Sequence, residues 1–144
     1  SYTGGSQLFW YVPAASPLKT PQDLDGKTVA YSNNGSSTHA SVLALQKHYK
    51  IGFKPTPTGS APVTMTVAMS GQVDVGWAGA PFGVTELEAG KTRLIMKASD
   101  APEFDKQTAR VIIANASELK ARVDVVTRFM RGYRESLAWI YSTP

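Results

Sequence analysis

The sequence contains no cysteine, so disulfides, thiolate metal sites and cysteine nucleophiles are excluded within this stretch. Histidine is nearly as scarce. His39 and His48 are the two present, too few for a His-built zinc site without carboxylate help. No apolar run approaches the roughly 20 residues that span a bilayer. No internal repeat, low-complexity tract or DNA-reading helix-turn-helix pattern is visible. Basic residues exceed acidic ones for a net charge of +4, but they are scattered, which argues against nucleic acid as a partner. The chain opens on Ser1-Tyr2-Thr3-Gly4-Gly5 with no initiator Met or signal peptide, and closes on Ser142-Thr143-Pro144. We expect a fragment or processed product of something longer.

What remains suffices for a core: 144 residues, 42% of them hydrophobic, fit a globular domain. Gln7 to Val12 (QLFWYV) reads as a buried strand. Thr20 to Leu24 reads as a single capped turn with Pro21 at its first position. Asp25-Gly26 then turns the chain into a short strand, Thr28 to Tyr31. A helix is expected from Ser37 to about Tyr49, with Ala40, Leu43, Val42 and Leu45 inward and Lys47 and Lys50 near its end. Phe53 to Thr58 is a weaker strand. Ser60-Ala61-Pro62 opens a second helix, packing Val63, Thr66, Val67, Met65 and Met69 and closing at Gly71. Gln72 to Trp77 alternates as a strand, and Ala78-Gly79-Ala80-Pro81 is expected as a turn into a third helix ending at Gly90. Arg93 to Met96 and Ala109 to Ala114 read as strands around a polar loop, Ala98 to Gln107. Ser117 begins a short helical turn, and Asp124 opens a long helix on which Val125, Phe129, Tyr133, Leu137 and Ile140 recur at three- and four-residue steps. This βα alternation predicts an α/β sheet.

The stretch Thr28 to Leu45 holds the most chemistry. Strand, polar turn (Ser32-Asn33-Asn34-Gly35) and helix start (Ser36-Ser37-Thr38) follow one another. That order aims unpaired backbone N–H groups and the positive helix end at the space above the turn, which suits a carboxylate, sulfonate or phosphate. The local sequence leaves two readings open: a ligand cradle, or a plain N-cap at Ser36 or Ser37, the commoner case. Both this turn and the one after Trp77 follow strands into helices, so they should open on the same sheet edge. Trp77 reads equally as a wall against a ligand or as core. His39 lacks a Ser–Asp relay and reads as a partly exposed helix residue. His48 answers the helix dipole, and Asp74 reads as solvent-facing or as a turn anchor. Lys120, Arg122, Arg128, Arg131 and Arg134 form a solvated helix face. Two matches to the N-glycosylation pattern, at Asn34 and Asn115, carry little weight.

Four stretches in order carry a family resemblance: Asp23-Leu24-Asp25-Gly26-Lys27-Thr28-Val29-Ala30, Gly35-Ser36-Ser37-Thr38-His39, Ser70-Gly71-Gln72-Val73-Asp74-Val75, and Pro81-Phe82. With Arg110 to Asn115 and the closing helix bearing Tyr133, Leu137 and Trp139, the chain resembles the nitrate/sulfonate/taurine-type solute-binding proteins. These are periplasmic components of ABC importers, grouped with proteins that bind or make thiamine pyrimidine precursors. The resemblance implies a type II periplasmic-binding-protein-like lobe, a three-layer α/β/α fragment of a two-lobed protein with a mainly parallel sheet. Residues 1–12 would be the hinge or crossover strand, 13–114 the second lobe, and 115–144 a C-terminal helical return segment.

Carried over by position, Gly35, Ser36, Ser37 and Thr38 match the family's anion-binding helix start. Trp77, Ala78, Gly79 and Pro81 match the second cleft loop, and Tyr2 and Thr3 approach from the hinge. The resemblance tips the reading of Ser36–Thr38 from cap to ligand cradle. It implies a small anionic ligand, no cofactor or metal, permease subunits as membrane partners, and a periplasmic or lipid-anchored extracytoplasmic place. An isolated lobe is expected to dimerise or swap elements. Replacing Ser37 and Thr38 by alanine together is expected to weaken anion binding and spare the fold. Two other functions share this architecture. Desulfinase-like and menaquinone-pathway-like enzymes are disfavoured by the missing cysteine and the lack of an acid/base pair. A LysR-type sensing domain would need DNA-binding helices that are not in this chain.

Overall fold

The computed structural model describes residues 7–105 and 112–142. The chain divides into two compact units, 1–109 and 110–144. In the first unit the strands are β1 (Leu8–Pro13), β2 (Thr28–Tyr31), β3 (Lys54–Pro57), β4 (Gly76–Gly79) and β5 (Thr92–Lys97). Its helices are α1 (Ser37–Tyr49), α2 (Ala61–Met69), α3 (Val84–Glu88) and α4 (Pro102–Asp105), with 3-10 turns over Pro21–Leu24 and Ala98–Asp100.

β1 lies between β4 and β5 and runs antiparallel to both. β2 pairs in parallel with β3 and meets the residue leading into β4 through a parallel Val29–Val75 bridge. Four strands therefore point one way and β1 points the other, in the order β3-β2-β4-β1-β5. The sheet is mainly parallel, as the resemblance implies.

Alternation along the strands builds one core on each face. Trp10 and Val12 of β1 join Val29 and Tyr31 of β2 under α1, where Val42 and Leu45 complete the cluster. Phe9 and Tyr11 join Ala30, Val73 and Ala78 on the other face, against Ala68 of α2, with Leu87 of α3 packed alongside. This is the three-layer α/β/α arrangement. The buried Trp10 indole donates to the Ala30 carbonyl at 2.8 Å, tying β1 to β2 across β4. Trp10 faces Met96 while Tyr11 faces Leu94, so Ile95 is an extra residue on β5. This bulge lets Ile95 and Met96 both enter the α1-side core. At Gly76, opposite Tyr11, an added Cβ would sit 2.4 Å from the tyrosine ring. The side chain-free position is what lets that ring lie flat on β4.

Several expectations need correction. On α1 the buried stripe is Thr38, Ser41, Val42 and Leu45, at steps of three and four, whereas Ala40 and Leu43 face outward. Hydroxyls share the inward face because Ser41 satisfies itself on the Ser37 carbonyl at 2.8 Å. On α2 the buried residues are Thr64 and Ala68. Met65 and Val67 are half-buried, and Val63, Thr66 and Met69 are exposed. Ala78 and Gly79 belong to β4, paired with Phe9 and Leu8, not to a turn. The supposed loop at 98–107 carries a 3-10 turn and α4, and places Ala98, Ala101 and Phe104 in the core. Ile112, Ile113 and Ala114 form no strand and are exposed; Ala109, Arg110 and Val111 lie outside the described residues.

The second unit contains α5 (Ala116–Ala121), capped by the Asn115 side chain on Ser117 N–H, and α6 (Val123–Ser142). Neither helix has a buried residue.

Candidate functional site

β2 ends at Tyr31 and the chain turns through Ser32 to Gly35 into α1. Gly35 has φ +77°, a left-handed conformation that glycine adopts without steric cost. Ser36 caps the helix, its Oγ accepting His39 N–H at 3.2 Å. Thr38 is buried and its hydroxyl is a hub. It accepts Ser32 N–H at 2.9 Å and meets the hydroxyls of Ser32 at 2.8 Å and Ser36 at 2.9 Å. From behind, Thr58 N–H reaches the Tyr31 carbonyl at 2.8 Å and Gly59 N–H the Ser32 carbonyl at 3.0 Å.

Counting hydrogens decides what this turn can offer. Ser32, Ser36 and Thr38 bring three hydroxyl hydrogens, and the two hydroxyl–hydroxyl bonds use one each. One is left for an outside acceptor, whichever way the bonds run. The N–H groups of Ser37 and Thr38 and the exposed Ser37 hydroxyl enter no hydrogen bond among the described residues. The turn has a surplus of donors. No Asp or Glu occurs between Asp25 and Asp74, so no carboxylate from this stretch competes for them.

β4 and its following turn stand at the same sheet edge, because β2 and β4 are parallel neighbours. Asp74 sets their spacing. Its carboxylate accepts Thr28 N–H at 2.8 Å and the Thr28 hydroxyl at 2.7 Å, while Asp74 N–H donates to Thr28 Oγ1 at 2.8 Å. Partial burial pushes the Asp74 carboxyl up, but the Thr28 hydrogen bonds and the Lys27 charge outweigh it and hold the group below the usual carboxylate range. The turn-anchor reading of Asp74 is the one the structure adopts.

Of the residues singled out in sequence, Gly35, Ser36, Ser37 and Thr38 come together as one turn. Trp77 is half-buried and packs against both cores, its indole N–H buried without a partner. Gly79 is half-buried, and Pro81 is exposed after a cis Ala80–Pro81 bond. Ala78 points away from the turn: it is buried in the α2-side core, 2.9 Å from where a Cβ on Gly83 would lie. Tyr2 and Thr3 lie outside the described residues. Sequence reasoning missed Ser32, which belongs to the hydroxyl trio, and the partners of His39. The signal for Ser32 was faint, since a serine after a strand is an ordinary turn residue. Among the described residues no group of three His, Cys, Asp or Glu side chains is placed to hold a metal.

This layered sheet, with a donor-rich strand–helix turn at its carboxyl edge, has the fold of one lobe of the solute-binding proteins that it resembles in structure. A family model described as NMT1/THI5 like matches residues 6–144, and the chain belongs to that family. Among solved structures, the periplasmic sulfonate-binding protein SsuA from Methylobacillus flagellatus KT aligns over 96% of this chain and 42% of its own, with 21% identity and a TM-score of 0.71. The periplasmic aliphatic sulphonate binding protein SsuA from Escherichia coli aligns over 96% of this chain and 48% of its own, with 23% identity and a TM-score of 0.66. The alkanesulfonate-binding protein SsuA from Xanthomonas axonopodis pv. citri, bound to MOPS, aligns over 65% of this chain and 33% of its own, with 26% identity and a TM-score of 0.57. The chain thus spans less than half the length of these relatives, which are binding proteins by description. None of the curated proteins matches it in sequence.

Proposed function

We propose that this chain is the second lobe of a solute-binding protein that captures a small anionic organic solute and delivers it to an ABC importer. The observation that carries the reading is the surplus of donors at Ser32–Thr38 in a stretch without carboxylates. An acceptor-only head group such as a sulfonate or nitrate fits that surplus. An aminopyrimidine brings donors of its own and fits it poorly, so the sulfonate class is favoured over thiamine precursors. Trp77, Gly79 and Pro81 would line the facing side, and Tyr2 and Thr3 would approach from the hinge. Residues 1–12 act as the crossover and 115–144 as the return segment, in a protein held outside the cytoplasm with permease subunits as partners. Binding requires no turnover.

The structure sharpens the mutational test. Thr38→Ala removes the acceptor of Ser32 N–H, so the double alanine variant disturbs the turn itself; Ser37→Ala touches only the ligand side. Thermal shift of the protein with taurine, alkanesulfonates, nitrate, carboxylates and an aminopyrimidine tests the reading. A ligand at a hundredfold excess over its Kd stabilises the native state by about 2.7 kcal/mol. We expect a rise in Tm with sulfonates, and a tenfold to hundredfold weaker affinity in Ser37→Ala, the worth of roughly one hydrogen bond to a charge. A shift with the aminopyrimidine alone, or a chemically altered ligand, overturns the proposal.

A further inference from the structure

Within this turn, His39 is placed in a way that capping alone does not require. Its Nδ1 accepts the Gly35 N–H at 3.1 Å, closing a loop around Ser36–Thr38. Its ring stacks on Tyr31 with centroids 4.4 Å apart and planes 16° from parallel. Tyr31 in turn donates its hydroxyl to Asn34 Oδ1 at 2.5 Å. The imidazole is thus clamped between the strand that enters the turn and the glycine in its middle.

We propose that His39 is a pH-sensitive latch on the anion-binding turn, holding it closed when neutral and releasing Gly35 when protonated. The coupling to ligand rests on the function proposed above; the latch itself does not. Protonation at Nδ1 turns an acceptor into a donor, and two N–H groups then face each other. The cation would also sit in the first turn of α1, where the helix dipole disfavours positive charge. The groups that face His39 do not offset this. β2 presents Tyr31. β3 presents Lys54, which pairs with Thr28 at the far end of β2, about 10 Å along the strand from Tyr31. The 3-10 turn at Ala98–Asp100 presents Asp100, which binds the Tyr49 hydroxyl at 2.9 Å, about 15 Å along α1. No ion pair involves His39 among the described residues.

Two substitutions separate the parts of the latch. His39→Asn keeps an acceptor near the Nδ1 position and cannot titrate. His39→Phe keeps the stack and has no acceptor. In NMR of the ligand-free protein we expect the Gly35 amide signal to move together with the His39 ring signals as pH is varied, and to stay still in both variants. Taurine affinity should change with pH in the native sequence as the Gly35 amide does, and should not follow pH in His39→Asn or His39→Phe. A Gly35 amide indifferent to pH overturns the latch. A responsive amide with pH-independent affinity overturns its coupling to ligand. A responsive amide with no taurine binding at any pH keeps the latch and sinks the proposed function instead.

Discussion

The two units of this chain invert the usual relation between pattern and burial. α1 is apolar or small nearly all round and shows little periodicity, yet it buries Val42 and Leu45 completely. α6 repeats its apolar residues cleanly at three- and four-residue steps, yet Phe129 is 55% and Ile140 57% exposed. The difference lies in what surrounds each helix. α1 follows a strand and lies on a sheet whose α1 side is already paved by Trp10, Val12 and Val29. Among the described residues the second unit has only α5 and α6, with a Phe129–Tyr133 stack at 6.4 Å and the exposed ion pairs Arg122–Glu118 and Arg128–Asp124. Such pairs contribute little. A clean stripe states which face needs cover. It does not state that the same stretch supplies it.

The largest effect should come from cutting the first unit's core. Trp10→Ala removes a fully buried indole and its bond to Ala30, at a cost of about 3–5 kcal/mol. Phe129→Ala in the second unit should cost less than about 1 kcal/mol, because little is buried there to lose. Urea unfolding followed by far-UV circular dichroism compares the two. A Phe129→Ala loss as large as that of Trp10→Ala would mean that α6 is covered in solution, by a second copy or another segment, and would erase the contrast.

Gly76→Ala comes next. Its Cβ would meet the Tyr11 ring where neither strand can yield, since Tyr11 is fully buried with its hydroxyl unpartnered. We expect about 1–3 kcal/mol of destabilisation. Gly132→Ala in α6, where an added Cβ meets nothing within 4 Å, should instead stabilise by up to about 1 kcal/mol through helix propensity. Equal signs for the two glycines would break the comparison.

The smallest effect is electrostatic. Because the folded-state pKa of Asp74 is depressed, its contribution is fully present above the unfolded value of about 3.9. It is lost as pH falls through the lower folded value. Asp74→Asn should therefore cost about 1 kcal/mol at pH 7 and flatten the fall in stability below pH 4. An unchanged acid limb would show that the Thr28 staple contributes nothing.

Much of the first unit was legible because punctuation marks it. Pro21 sets a helical turn, Gly71 closes α2 and Gly90 follows α3. The apolar run around Trp10 reads as a strand buried on both faces. What was hidden has physical causes. Ala40, Val42, Leu43 and Leu45 are all acceptable inside, so no period selects a face of α1, and the true stripe runs through Thr38 and Ser41. Phe104 stands among Asp, Glu and Lys, so the segment reads as polar while its single aromatic anchors it. The reversed direction of β1 leaves no trace in composition, since a strand buried on both faces reads alike either way. Of the site, Ser36–Thr38 was visible as a cap signature, while Ser32 entered through the space around Thr38 and not through spacing.

The reversed strand has a consequence for how the molecule is made. Of the described strands of this unit β1 is synthesised before the others, yet its neighbours β4 and β5 begin at Gly76 and Thr92. At roughly 5–20 residues per second, the Phe9–Val12 run waits several seconds before its first partner is synthesised. Throughout that interval the most apolar run of the unit lacks the two strands that flank it in the fold. Holding this nascent segment apart from its copies on neighbouring ribosomes is a task for the translation machinery before it becomes one for the fold.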